Sequence, residues 1–112
     1  RADFVSLNCD LNPTSLNLMS VAQFEAMKET AVMLNLARGP IVDEPALIEA
    51  LRKGEIAGAA LDVFAFEPLP KDNPLLSMDN VLLAPHNSNS SAKAWGKVHW
   101  STLNQLVEGL NA

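Results

Sequence analysis

Apolar residues in this chain come in short blocks separated by turn chemistry, and the period of the blocks changes along the sequence. Phe4-Val5-Ser6-Leu7 is rich in strand formers, and Asn12-Pro13-Thr14-Ser15 then punctuates it as a loop. Val21-Ala22-Gln23-Phe24-Glu25-Ala26-Met27 carries apolar residues at three- and four-residue spacing, with Ser20 placed to cap its first amides, which predicts a short helix. Residues 31–37 are almost continuously apolar and too short for a core helix, so they predict a strand covered on both faces. Asp43 then fits a helix cap, with Leu47, Ile48 and Leu51 as the buried stripe and Gly54 as a left-handed stop. Residues 56–64 return to strand length, and strand, helix and strand in this order predict a right-handed crossover and a parallel sheet.

Beyond that point Pro68, Pro70 and Pro74 keep the chain out of regular structure, and residues 81–84 give a last strand. After the polar loop Asn87-Ser88-Asn89-Ser90, Ser91 is placed to cap a final helix. Its stripe is Trp95, Val98, Leu103, Leu106, Val107 and Leu110. Trp100 falls off that stripe and reads either as a partly buried surface aromatic or as a contact to another domain or subunit.

Three of the apolar runs stop at an ionisable side chain. Arg38 follows residues 31–37, Glu67 follows the run ending at Phe64, and His86 follows Val81-Leu82-Leu83-Ala84-Pro85. If the runs are parallel strands, all three gather at one sheet edge, and open α/β sheets bind ligands outside the carboxyl ends of their strands. Each residue also has a bland alternative: Arg38 pairing with Asp43 or Glu44 at a helix start, Glu67 as a solvated loop charge, and His86 as a structural histidine.

With 112 residues the chain is one small domain, and its 48% hydrophobic and 19% charged content suits a buried sheet rather than disorder. The net charge of −5, with no basic patch or aromatic series, argues against nucleic acid. Cys9 is the single cysteine, so no internal disulfide is available and a cytoplasmic setting is the default expectation. No apolar run approaches the ~20 residues that span a bilayer, so no membrane partner is expected. Metal-ligand spacing of Cys and His, a phosphate-binding P-loop and a Gly-x-Ser-x-Gly turn are all missing, and Asn89-Ser90-Ser91 is a chance glycosylation triplet. The start without methionine, almost directly in a strand pattern, reads as a fragment of a larger enzyme.

Asn35-Leu36-Ala37-Arg38-Gly39, Val42-Asp43-Glu44-Pro45-Ala46-Leu47, Gly58-Ala59-Ala60-Leu61-Asp62-Val63-Phe64 with Glu67-Pro68, and Pro85-His86 form an ordered set. In that order and at those spacings the chain resembles the D-isomer-specific 2-hydroxyacid dehydrogenases, the phosphoglycerate and glyoxylate/hydroxypyruvate reductase family. The resemblance covers nearly all of it. It implies the second half of a Rossmann-type doubly wound domain, NAD or NADP as cofactor, a small 2-keto or 2-hydroxy acid as substrate, and a homodimer in the full-length protein. It also implies His86 as the proton donor and acceptor, Glu67 as the carboxylate that fixes the imidazole and stabilises charge on it, and Arg38 as the forked anchor of the substrate carboxylate. The Ala37 carbonyl and Asp62 would meet the nicotinamide carboxamide, Arg38 and His86 would border the ring, Cys9 would line the dinucleotide through its backbone, and Ser15 would lie near its phosphates. His99 matches no motif.

Two departures qualify the resemblance. His86-Asn87-Ser88-Asn89 makes the pocket wall more polar than the Ala- and Gly-bearing turn the family often has. No Gly-x-Gly-x-x-Gly and no following ribose-binding acid occur, so residues 1–112 read as the nicotinamide and catalytic half, lacking the pyrophosphate half and the substrate domain. Weak or absent NAD binding by these residues alone is the expectation. A rival from another class is a dinucleotide-sensing, corepressor-like interaction module that keeps similar residues.

Overall fold

The computed structural model describes residues 1–88 and 90–111. Asn89, part of both the polar loop and the glycosylation triplet, lies outside them. Four parallel strands, β1 (Phe4–Leu7), β2 (Val32–Asn35), β3 (Gly58–Leu61) and β4 (Val81–Leu83), form one sheet in the order β1-β2-β3-β4. Leu7, Asn35, Leu61 and Leu83 sit in one row across it, so the strands end nearly level and the loops that follow share an edge.

The first two connections run through α1 (Val21–Glu25) and α2 (Glu44–Lys53). Asp43 caps α2 as its sequence predicts, accepting the Ala46 amide at 3.3 Å, and Gly54 ends it in the left-handed region at φ 71°. At α1 the Gln23 side chain accepts the Ser20 amide, while the Ser20 hydroxyl donates to Asp43 at 2.8 Å and ties the starts of the two helices together. α1 and α2 touch each other and therefore cover the same face of the sheet. Phe24, Met33, Ile41, Leu47, Ile56 and Leu75 are sealed in the core between them.

β2 departs from the expected cover on both faces. Met33 and Asn35 are buried, yet Val32 and Leu34 on the other side are only half-buried, and Phe4 and Leu82 beside them are 70% and 71% exposed. Consecutive crossovers of one hand, laid down in strand order, put every helix on one side of the sheet. The stretch after Phe64 is irregular except for a 3-10 turn at Pro74–Ser77, where Asn73 accepts the Leu75 amide and Pro74 takes the first position that its missing N–H suits. The last helix, α3 (Ala92–Asn111), begins where Ser91 accepts the Ala94 amide at 3.1 Å. None of its residues is buried, and Trp95, Val98, Leu103, Leu106, Val107 and Leu110 all face solvent, as does Trp100.

Candidate active site

Arg38 stands three residues past the end of β2, where the chain turns into a 3-10 segment at Gly39–Ile41. A buried asparagine makes that turn: Asn35 donates through Nδ2 to the Arg38 carbonyl at 2.9 Å and accepts the Ala37 amide at 3.1 Å. Gly39 is required because a Cβ there would overlap the Phe64 carbonyl, so the loops after β2 and β3 touch backbone to backbone. The Arg38 side chain is exposed, with Nη1 donating to the Ala37 carbonyl at 2.7 Å. Its alternative partners are engaged elsewhere: Asp43 with its cap and Ser20, Glu44 with the Ala65 amide at 3.2 Å and Asn73 Nδ2 at 2.8 Å.

Glu67 and His86 meet. His86 Nδ1 and Glu67 Oε2 lie 2.6 Å apart, and Glu67 Oε1 accepts the Phe64 amide at 3.0 Å. The hydrogen bond from His86, then that from Phe64, holds the Glu67 carboxyl below its ordinary range against the opposing effect of burial. Glu67 is therefore an anion at neutral pH, a pure acceptor, and the proton in the pair resides on Nδ1. No hydrogen bond engages Nε2 among the described residues. An apolar cleft of about 390 Å³ adjoins the pair, walled by Phe64, Leu69, Leu76 and Leu83.

Asp62, at the end of β3, is 3% exposed and accepts the Asn87 amide on Oδ1 at 2.9 Å and the Ser88 amide on Oδ2 at 2.8 Å. Burial alone would raise its pKa, but the Ser88 hydroxyl, these two amides and the nearby His86 outweigh it, and the net direction is downward. Both oxygens thus accept from the loop after β4. Ser15 lies in the loop after β1. It is buried, donating to the Asp10 carbonyl at 2.6 Å and accepting the Asn12 amide at 2.9 Å, so its hydroxyl closes its own turn. Cys9 and Ala37 do line a cleft of about 330 Å³ with Asp10, Leu11 and Arg38. The rim therefore carries one contacting pair, Glu67 and His86, and Arg38 in a separate cleft along the same edge.

Asn35, Gly39 and Glu44 shape this rim without having been singled out as site residues. A lone amide inside an apolar strand run was the available signal for Asn35; the Glu44 contacts span 21 and 29 residues and leave no local trace. His99 lies on α3 with its ring 5.2 Å from that of Trp95. No cluster of potential metal ligands occurs among the described residues, and no described helix is long and apolar enough to cross a membrane.

Parallel strands that end in a shared rim, with a carboxylate-bound imidazole and an exposed guanidinium on it, define a Rossmann-type dinucleotide-binding sheet. Residues 1–88 match the family described as D-isomer specific 2-hydroxyacid dehydrogenase, NAD binding domain, and the chain belongs to that family. It is 46% identical over 111 residues to a glyoxylate/hydroxypyruvate reductase B from Enterobacter sp. (strain 638), covering 99% of this chain and 34% of that protein. It is similar in structure to an NAD-complexed D-isomer specific 2-hydroxyacid dehydrogenase from Lactobacillus delbrueckii ssp. bulgaricus, with TM-score 0.82, 35% identity and 99% and 38% of the two chains covered. An acyclic imino acid reductase in complex with NADPH and D-Arg superposes with TM-score 0.90 at 30% identity, covering 98% and 35%. The chain thus spans about a third of the length of the reductase it matches.

Proposed function

We propose that this chain is the nicotinamide and catalytic half of an NAD(P)-dependent oxidoreductase that acts on a small 2-keto or 2-hydroxy acid. The observation that carries this reading is the Glu67–His86 pair, with His86 Nδ1 2.6 Å from Glu67 Oε2. In reduction His86 donates its Nε2 proton to the keto oxygen, and in oxidation Nε2 takes it back from the hydroxyl. Glu67 holds the imidazole at one angle and stabilises the positive charge it carries before donating. Arg38 binds the substrate carboxylate through two parallel N–H donors, a geometry that lysine lacks.

The donor set at the rim fits a nicotinamide. The cleft beside Arg38 is open, has Cys9 and Ala37 in its wall, and lies at the carboxyl ends of β1 and β2, where doubly wound sheets receive dinucleotides. When bound, the dinucleotide supplies or accepts the hydride. Cys9, Ala37 and Arg38 would border it, and the Gly-rich half of its site would pair with the open edge of β1. Cytoplasmic location and a homodimer belong to the same proposal.

The test is turnover of glyoxylate and hydroxypyruvate by the full-length protein with NADH and NADPH. His86→Ala is expected to lower kcat by about 10²–10⁴-fold, the usual contribution of a positioned acid–base group. Unchanged turnover in that variant overturns the reading.

A further inference from the structure

Glu67 is the carboxylate that holds the His86 ring, yet it sits in an irregular stretch, residues 65–73, that belongs to no helix or strand. Leu69 packs against the core, a contact that gives this stretch depth without direction. Its directional ties lead to one side chain. Glu44, in the first turn of α2, accepts the Ala65 amide on Oε2 at 3.2 Å and Asn73 Nδ2 on Oε1 at 2.8 Å, one bond at each end of the stretch. Among the described residues, every other hydrogen bond made by residues 65–73 stays within residues 64–77 or joins Glu67 to His86. The first tie grips a peptide that is held from the other side as well. The Phe64 carbonyl lies against Gly39, where a Cβ would overlap it, while the Ala65 N–H of the same unit points to Glu44. One peptide further back, the Phe64 N–H donates to Glu67 Oε1. Gly39 and Glu44 both lie shortly after Arg38, so the segment that presents the guanidinium also fixes the segment that presents the carboxylate.

We infer that Glu44 is a positioning residue: by accepting one donor at each end of residues 65–73 it fixes where Glu67 meets His86 and how far that pair stands from Arg38. This rests on the dehydrogenase reading above and gives Glu44 a role through Glu67. Both of its partners are donors, so two acceptor oxygens are needed on one side chain. Asn73 cannot turn its amide round to help, because its Oδ1 accepts the Leu75 amide at 2.9 Å and caps the 3-10 turn. Glu44→Gln therefore keeps one bond and sets its N–H₂ against a donor at the other. Asn73→Asp keeps the cap but sets a second carboxylate against Glu44. Combined, the two changes exchange donor and acceptor. The glutamine carbonyl accepts the Ala65 amide, its N–H₂ donates to the new carboxylate, and both ties return.

The experiment uses the full-length protein. Glu44→Gln and Asn73→Asp are each expected to lower kcat by roughly 10–10²-fold, the cost of a reacting group held slightly out of place. Glu44→Gln combined with Asn73→Asp should recover to within about threefold of the unsubstituted enzyme, as coupled partners do. Neither residue lines the cleft beside Arg38, so the dissociation constant for NADH, measured by direct titration, should change by less than about threefold throughout. In each single variant the neutral His86 ring should begin to average between its two protonation forms, a change that lower stability alone does not bring. Four results overturn the inference: unchanged kcat in the single variants, a double variant no better than the weaker single, NADH binding weakened as much as kcat, or a His86 ring that keeps one form. Amide hydrogen exchange on the unsubstituted protein covers variants that fail to fold. The Ala65 amide should exchange at least about tenfold more slowly than those of Lys71 and Asp72, whose N–H groups make no hydrogen bond among the described residues, and equal rates overturn the tie. His86→Ala assayed alongside separates the two failures. Full activity there sinks the dehydrogenase reading, while the exchange rates still judge the tie on their own.

Discussion

The helices α2 and α3 are built on the same kind of sequence pattern, an apolar stripe with a capping aspartate or serine ahead of it, yet they end in opposite states. In α2 the stripe of Leu47, Ile48 and Leu51 is buried against strands that lie close in sequence. In α3 the stripe from Trp95 to Leu110 is exposed along its whole length. Periodicity therefore tells which side of a helix is apolar and not what covers it. The rim adds a second contrast. The residues proposed for the chemistry, Arg38, Glu67 and His86, are exposed, whereas the polar groups that bond the backbone of the adjoining loops, Asn35 and Asp62, are buried and hydrogen-bonded. A buried polar group left without partners costs several kcal/mol, so such groups persist where they fix backbone.

The sharpest way to break the contrast is at the crossing of the two loops. Gly39→Ala forces a Cβ into the Phe64 carbonyl, and a loss above about 4 kcal/mol, in the range reserved for severe backbone or core damage, is expected in denaturant titrations. Phe24→Ala removes a sealed core aromatic and should cost about 3–5 kcal/mol in the same assay. Loss of the α2 cap in Asp43→Ala should cost about 1 kcal/mol. Leu103→Ala in α3 should stay within about 0.5 kcal/mol in the isolated 112-residue polypeptide, as for surface positions. A core-sized loss there would show that the two stripes are packed alike.

Acid provides a further comparison. Glu67 and Asp62 both have folded pKa values below their ordinary ones, so each binds a proton more readily in the unfolded chain. Their contribution to stability is present above the ordinary carboxylate range near pH ~4 and is lost as pH falls through the depressed folded values. Urea midpoints measured across that window should drop, and Glu67→Gln should flatten part of the slope.

Much of the fold was legible because its signals are local. The Asp43 cap, the Gly54 stop and the change from helical to strand period each depend on a few adjacent residues, and all appear where the sequence puts them. Strand ends were read too long, since residues 36–37 and 63–64 are apolar but lie beyond the strands, in the loops that come together. The open second face of β2 was missed because half-buried and fully buried strands read alike when both rows are apolar. Arg38, Glu67 and His86 were visible as charges ending apolar runs. Ser15 and Asp62 were placed by family resemblance, and their hydrogen bonds to Asp10, Asn12, Asn87 and Ser88 depend on loop geometry that no residue spacing encodes.

The most direct test of the rim is the protonation pattern of the His86 ring, read from long-range nitrogen–proton correlations in a labelled sample. An ionised Glu67 at 2.6 Å requires the neutral ring to carry its proton on Nδ1 and leave Nε2 bare. A neutral ring protonated on Nε2, or one that averages between the two forms, would contradict the account.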